Sequence, residues 1–262
     1  MKLFCTILLI VSSSAAWGQT LTKDQMKDFL TRSKIVSSKQ TEKGITHPWR
    51  LTLTDGTVTH DGSFQAVDEH PVKRQFADGH VEMNFVDSYK YNLAAYALAE
   101  MLGIDDMMPV YVERKWMGMS GSISWWLPVK MDEGERLQRK IAVPNADAWN
   151  RQMYRIRVFD QLVYDTDPNL TNVLIGEDWQ VWRVDFTRAF RLFKNVQDTK
   201  DLVRCDRNLF AKLQTLDAKE VSQRTKNYLN KDEVQALFER RDKIVAIFQK
   251  LISEKGESSV LY

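Results

Sequence analysis

The run Val163-Tyr164-Asp165-Thr166-Asp167-Pro168-Asn169-Leu170-Thr171-Asn172-Val173-Leu174-Ile175, followed by Val184-Asp185-Phe186-Thr187-Arg188, admits few architectures. Upstream, Trp149, Met153, Ile156, Phe159 and Val163 recur at helical spacing. The pattern therefore predicts a helix ending near Val163, then a polar loop. Val173 to Ile175 and Trp179 to Phe186 read as a hairpin across Gly176-Glu177-Asp178, with Asp185 at the end of its second strand. Asp167 and Asn172 fall on one loop, and the hairpin returns Asp185 toward it. A carboxylate can then face a hydroxyl while an amide oxygen and a second carboxylate face a cation. Phosphoryl transfer needs that division of labour.

The rest of the chain divides into a strand-rich half and a helical half. Trp49 to Thr54 is β-type, Asp55-Gly56 is a hairpin turn signal, and Val58 to Val67 resumes extended character with a break expected at Asp61-Gly62. Residues 68 to 87 are polar and irregular and read as a loop or insertion. Asp87 or Ser88 opens a helix carrying Tyr91, Ala94, Ala95, Leu98 and Leu102 on one face, and Gly103 ends it. Val110 to Lys115 and Ser122 to Trp126 read as strands around Gly118 and Gly121. Leu127 to Pro144 is the expected lobe boundary. Beyond it, Asn145 caps a helix, and Asn230 with Glu233 has the form of a capping box before a long apolar-striped helix.

At this point the residues support a comparison. The loop resembles the atypical branch of the protein-kinase-like superfamily, which includes phosphatidylinositol 3/4-kinases and HipA-like kinases. Those carry an Asp-Arg-His-x-x-Asn loop and then a metal-binding Asp on a hairpin; Asp167, Asn172 and Asp185 match. Phe159 to Leu162 and Arg183 to Arg191 also resemble exported bacterial proteins of this kinase-like type. The resemblance spans about residues 47 to 250. It implies an α+β, two-lobed protein-kinase-like fold, with a strand-rich N-lobe over residues 19–127 and a helical C-lobe over 128–262. It also implies ATP and Mg2+ as cofactors, a nucleotide and a hydroxyl-bearing acceptor as partners, Asp167 as catalytic residue, and Asn172 and Asp185 as metal ligands.

Departures accompany the match. Pro168 and Asn169 replace the Arg and His of the loop, and Thr187 replaces the Gly of an Asp-Phe-Gly turn. Gln65, in Ser63-Phe64-Gln65-Ala66-Val67, occupies the place of the phosphate-binding Lys, and Asn92 that of its Glu partner. The cofactor-binding set is therefore Gln65 with Lys73 and Arg188 as available cations, beside Arg74. A neutral amide does not replace a positive charge against a polyphosphate, so a non-catalytic, pseudokinase-like binding module is the alternative to a phosphotransferase.

Other features bound the function. Lys2, the apolar run Leu3 to Val11 and the small-residue zone to Gly18 have the form of a secretory signal peptide over residues 1–18, with Ala16 and Gly18 at positions −3 and −1 of a cleavage before Gln19. The expected location is periplasmic or secreted. As a helix the run spans about 14 Å against ~30 Å of hydrocarbon, too short for an anchor. Cys5 leaves with that segment, and Cys205 alone forms no internal disulfide. Lys and Arg number 37 against 35 Asp and Glu, so a net charge of +2 gives no general pull toward nucleic acid. His47, His60, His70 and His80 lack metal-ligand spacing. Asp165, Asp167 and Asn169 open like a calcium loop, but Leu170 and Gly176 stand where an EF-hand needs Gly and Glu. Trp125-Trp126, Trp179 and Trp182 are expected to pack in the core rather than present a stacking face.

Overall fold

The computed structural model describes residues 21–41, 48–76 and 78–262. Residues 1–18, read above as a signal peptide and including Cys5, and His47 lie outside the described residues.

Helix α1 (Lys23–Arg32) opens the described chain with a capping box, in which Thr22 and Gln25 satisfy each other's backbone N–H groups. Strands β1 (Lys34–Gln40), β2 (Trp49–Thr54) and β3 (Thr59–Gln65) follow. The turn expected at Asp55-Gly56 forms: Asp55 Oδ1 accepts from the Thr57 and Val58 N–H groups, each at 2.8 Å. Asp61-Gly62 does not break β3. Gly62 lies inside the strand because a Cβ there would meet Ile123 at 2.8 Å.

The polar stretch 68 to 87 is more ordered than its composition suggests. It holds β4 (Asp68–Glu69), β5 (Lys73–Gln75), β6 (Val81–Met83) and β7 (Asp87–Ser88), paired as β4 with β7 and β5 with β6. Ser88 then caps α2 (Tyr89–Leu102), and Gly103 ends it in the left-handed conformation. Strands β8 (Tyr111–Trp116) and β9 (Met119–Trp125) complete an antiparallel sheet in the order β1-β2-β3-β9-β8. The turn falls at Met117-Gly118, both at positive φ. Gly121 is instead a close-approach glycine inside β9: a Cβ there would lie 2.4 Å from the Gln65 carbonyl oxygen and 2.6 Å from the Phe64 ring. This absence of a side chain lets β9 seat the end of β3, and with it Gln65. Helix α2 packs on β8 and β9 through a nearly all-buried surface.

The helical half begins with a strand. The segment read as a boundary contains β10 (Val129–Asp132) and α3 (Glu133–Gln138). Next come α4 (Ala146–Val163), capped by Asn145, and the hairpin β11 (Val173–Gly176) and β12 (Val181–Arg183). Strand β10 pairs with β11, so this small sheet has the order β10-β11-β12. The hairpin's second strand is shorter than its sequence suggests, and Asp185 lies just past it. Helices α5 (Arg207–Thr215), α6 (Ala218–Thr225), α7 (Lys231–Lys255) and α8 (Glu257–Val260) close the fold. The Asn230–Glu233 capping box starts α7 as expected. Phe159 of α4 meets Phe186 edge-on with ring centroids 5.4 Å apart, both fully buried. Such a pair adds about 0.5–1.5 kcal/mol beyond area burial and ties the Asp185 segment to α4. Among the described residues, no helix is long and apolar enough to cross a membrane.

Candidate functional site at the lobe junction

The loop after α4 is shaped by a buried ion pair. Tyr164 ends the helix in the left-handed region, at φ 51°. The next residue, Asp165, is buried and binds the Arg183 guanidinium at the end of β12, while its Oδ1 accepts from the Asp167 N–H at 3.0 Å. Arg183 also faces Asp160 at 3.3 Å and lies over the Phe186 ring at 4.8 Å. Burial opposes the Arg183 charge, but Asp160 and Asp165 outweigh it, so its pKa stands above the usual arginine value. One cation therefore joins the helix end, the loop and the hairpin. These commitments also remove Asp165 from any calcium loop, and Asn169 is spent capping the Thr171 N–H at 3.0 Å.

The loop continues through a 3-10 turn, Leu170–Asn172, and the Val184 N–H donates to the Asn172 carbonyl at 3.0 Å. Asp185 then adopts φ 62°. A non-glycine residue there costs on the order of 1–3 kcal/mol and persists only where surrounding contacts impose it. Those contacts are a chain of neutral amides. The Phe186 N–H donates to Asn92 Oδ1 at 2.7 Å, Asn92 Nδ2 donates to Gln65 Oε1 at 2.7 Å, and Gln65 Nε2 donates to Asp185 Oδ1 at 3.4 Å. Thr187 Oγ1 donates to the same Asp185 oxygen at 3.1 Å. Gln65 and Asn92, read as replacements for an ion pair, thus face each other as that pair would, without charge.

An interlobe cleft of about 1300 Å3 is lined by Gln65, Asn172 and Asp185 together with Arg50, Trp126 and Asp132, among others. Asn172 and Asp185 are both on its lining. Asp167 lies outside its lining, half-exposed, yet near enough for its charge to act on Asp185. Burial, then the Asp167 charge, push the Asp185 carboxyl above the usual range, against Thr187, Arg183 and Gln65. Both side-chain hydrogen bonds to the Asp185 carboxylate fall on Oδ1. An amide oxygen and a carboxylate are donor types that suit a hard divalent cation such as Mg2+, although no group of three or more His, Cys, Asp or Glu side chains gathers as a metal site among the described residues.

The two proposed phosphate cations sit elsewhere. Lys73 is exposed on β5, outside the cleft lining. Arg188 is also outside it: its Nη2 donates to Glu82 Oε2 at 2.7 Å, and its Nη1 lies 4.0 Å from Asp167 Oδ2. Arg50 is the one Lys or Arg among the described lining residues. It pairs with Asp61 and lies 4.4 Å over the Trp126 ring. Trp125 and Trp126 both line the cleft; Trp125, stacked on His60 at 3.7 Å, also packs against the core and meets Phe29 edge-on at 5.6 Å, and Trp179 packs against the core as expected.

Sequence reasoning missed Arg183, Arg50, Glu82 and Asp87. Asp87 is buried with Oδ1 unpartnered; burial, then the Asp185 charge, raise its pKa. No local pattern signals these residues, because each acts through a partner distant in sequence. Cys205 is buried, and burial pushes its thiol far up, so the small-core-residue reading holds.

A five-stranded sheet with α2 beneath it, a connecting strand, a loop-hairpin site and a helical lobe define an α+β, two-lobed protein-kinase-like fold of the atypical kind. Comparison with solved structures supports this. The chain is similar to hydra Fam20 solved with sugar, at TM-score 0.65 and 16% identity over 91% of each chain. It is similar to the Golgi casein kinase with Mn/ADP bound, at TM-score 0.60 and 14% identity over 91% of this chain and 78% of that one. It is also similar to the Helicobacter pylori proinflammatory kinase CtkA, at TM-score 0.53 and 8% identity over 86% and 98%. Identities this low establish the fold alone, and these neighbours do not single out the phosphatidylinositol 3/4-kinase or HipA-like branch. No protein-family model matches the chain, and no curated protein matches it in sequence.

Proposed function

We propose that the protein is a Mg-ATP-dependent phosphotransferase acting on a hydroxyl acceptor. The observation that carries this reading is the presence of Asn172 and Asp185 on the lining of one cleft of a kinase-like fold, with Asp167 near enough for its charge to act on Asp185. Mn/ADP in the Golgi casein kinase structure supports the choice of ligands. Asn172 and Asp185 would hold the divalent ion, which supplies charge neutralisation to the phosphate oxygens when bound. Asp167 orients the acceptor hydroxyl and takes its proton as the new O–P bond forms and the bridging P–O bond to the nucleoside diphosphate breaks. Gln65 holds Asp185 in place and faces the phosphates as a neutral donor. Arg188, beside Asp167, offers positive charge at the transfer end; Lys73 is the more remote cation. Residues 1–18 would direct the chain to the periplasm or cell exterior.

One observation favours a second reading, a binding module without catalysis: the Gln65–Asn92 pair carries no charge where phosphate neutralisation is needed. A thermal shift series with ATP and Mg2+ separates the readings when paired with a phosphate-transfer assay. Metal-dependent stabilisation that Asp185→Asn removes, with turnover, supports the first. The same stabilisation without turnover supports the second, and no stabilisation at all rejects nucleotide binding.

A further inference from the structure

The hairpin β5–β6 reaches from the strand-rich lobe to the segment just beyond Asp185. From the middle of β6, Glu82 meets two arginines at once: Oε2 accepts from Arg188 Nη2 at 2.7 Å, and Oε1 accepts from Arg191 Nη2. All three side chains are largely buried, Arg191 to only 7% exposure. Two guanidinium groups share the Glu82 carboxylate directly, and the next carboxylate, the half-exposed Asp167, stands 4.0 Å from Arg188. The donors are also underused. Arg188 spends one N–H on Glu82, and its Nε is buried without a partner.

Both arginines are held from behind. The Arg188 carbonyl accepts from the Thr166 N–H and hydroxyl, and its guanidinium lies 5.2 Å from the centroids of both Phe76 and Phe85. The Arg191 carbonyl accepts from the fully buried Arg240 at 2.8 Å. Planar guanidinium groups carried on a backbone held in this way are suited to oxyanions with two or more accessible oxygens. Their location is specific too, since Arg188 Nη1 stands 4.0 Å from Asp167.

We propose that Arg188 and Arg191 form an oxyanion-binding site beside Asp167, with Glu82 as its resident carboxylate, and that an anionic group carried by the acceptor takes the place of Glu82. The acceptor half rests on the phosphotransferase reading; the anion site itself does not. An incoming carboxylate or phosphate would satisfy the unused arginine donors, and the acceptor hydroxyl would lie within reach of Asp167. Release of Glu82 would free the β5–β6 hairpin, so anion binding and hairpin opening are one event.

The test uses the full chain and Glu82→Gln, which keeps the side-chain shape and removes the competing charge. Melting is followed against inorganic phosphate, with chloride at matched ionic strength as control. The variant should respond to phosphate at a concentration about tenfold lower than the wild type, and the added change Arg188→Gln should abolish the response. Glu82→Asp, which withdraws the carboxylate by one methylene, should shift the same way by less and serves if Glu82→Gln does not fold. Equal phosphate responses with and without Glu82, or a response that survives Arg188→Gln, overturn the site. A second arm compares binding of a serine peptide bearing aspartate with its asparagine counterpart, and of glucose 6-phosphate with glucose. A preference for either charged member supports the acceptor half and says whether carboxylate or phosphate is recognised; no preference in both pairs overturns it. Absence of turnover with nucleotide, beside intact phosphate binding, counts against the phosphotransferase reading alone.

Discussion

Replacing Asn92 by Ala should be among the most damaging single changes at the lobe junction. Asn92 is fully buried on α2 and makes three hydrogen bonds: from the Phe186 N–H at 2.7 Å, to Gln65 Oε1 at 2.7 Å and to Ser122 Oγ at 3.3 Å. Truncation leaves the Phe186 N–H in the interior without an acceptor, a cost of about 1–3 kcal/mol. Loss of the donor to Gln65 costs about 0.5–1.5 kcal/mol, the lower end applying because Gln65 lines the cleft and water can reach it. Together the change should destabilise the protein by roughly 2–4 kcal/mol, or about 30- to 1000-fold in the folding equilibrium. Gln65→Ala should cost only about 0.5–1.5 kcal/mol. A double-mutant cycle should give a coupling near 1 kcal/mol, read by urea denaturation with tryptophan fluorescence and constant m-values. A cost below about 1 kcal/mol for Asn92→Ala, or additivity within about 0.3 kcal/mol, would refute the claim that the amide relay holds the Asp185 segment.

Three further outcomes are expected. Asp167→Ala should lower turnover by about 10²–10⁴ while leaving the nucleotide-dependent melting shift in place, which parallel kinetic and thermal assays will read. Burial pushes Asp68 up, but Lys90, Ser88 and His70 outweigh it and hold its carboxyl down at about 2, below the ordinary 3.8. The unfolded chain therefore binds more protons in this window, and the contribution of Asp68, complete above about pH 4, is lost as pH falls toward 2. Asp68→Asn should flatten that part of the stability curve, as denaturation at stepped pH can show. Cys205, buried and with its thiol pKa driven up by burial, should resist iodoacetamide at neutral pH until the protein unfolds, in labelling mapped by mass spectrometry.

Much of the fold was legible because its signals are local. Asp55-Gly56 makes its turn with its own neighbours, Ser88 and Gly103 bound α2, and Asn230 with Glu233 starts α7. Each needs only residues a few positions away, so a linear reading captures it. The stretch 68 to 87 reads as a loop because β4 to β7 are too short to show alternation; pairing partners, not propensity, make them strands. Gly62 and Gly121 were read as punctuation because a glycine that permits close approach looks the same in sequence as one that permits a turn.

The candidacy of Asp167, Asn172 and Asp185 follows from their spacing and from the resemblance it carries, although only Asn172 and Asp185 line the cleft. What surrounds them does not follow from spacing. Arg183 reaches Asp165 across 18 positions, Phe186 reaches Asn92 across 94, and Arg191 reaches Glu82 across 109. The sequence alone thus determined the helical and hairpin segments and the loop that bears the candidate chemistry. Tertiary structure alone decided which charge faces which, because side-chain pairing over such separations depends on how buried surfaces stack, and no local preference encodes that stacking.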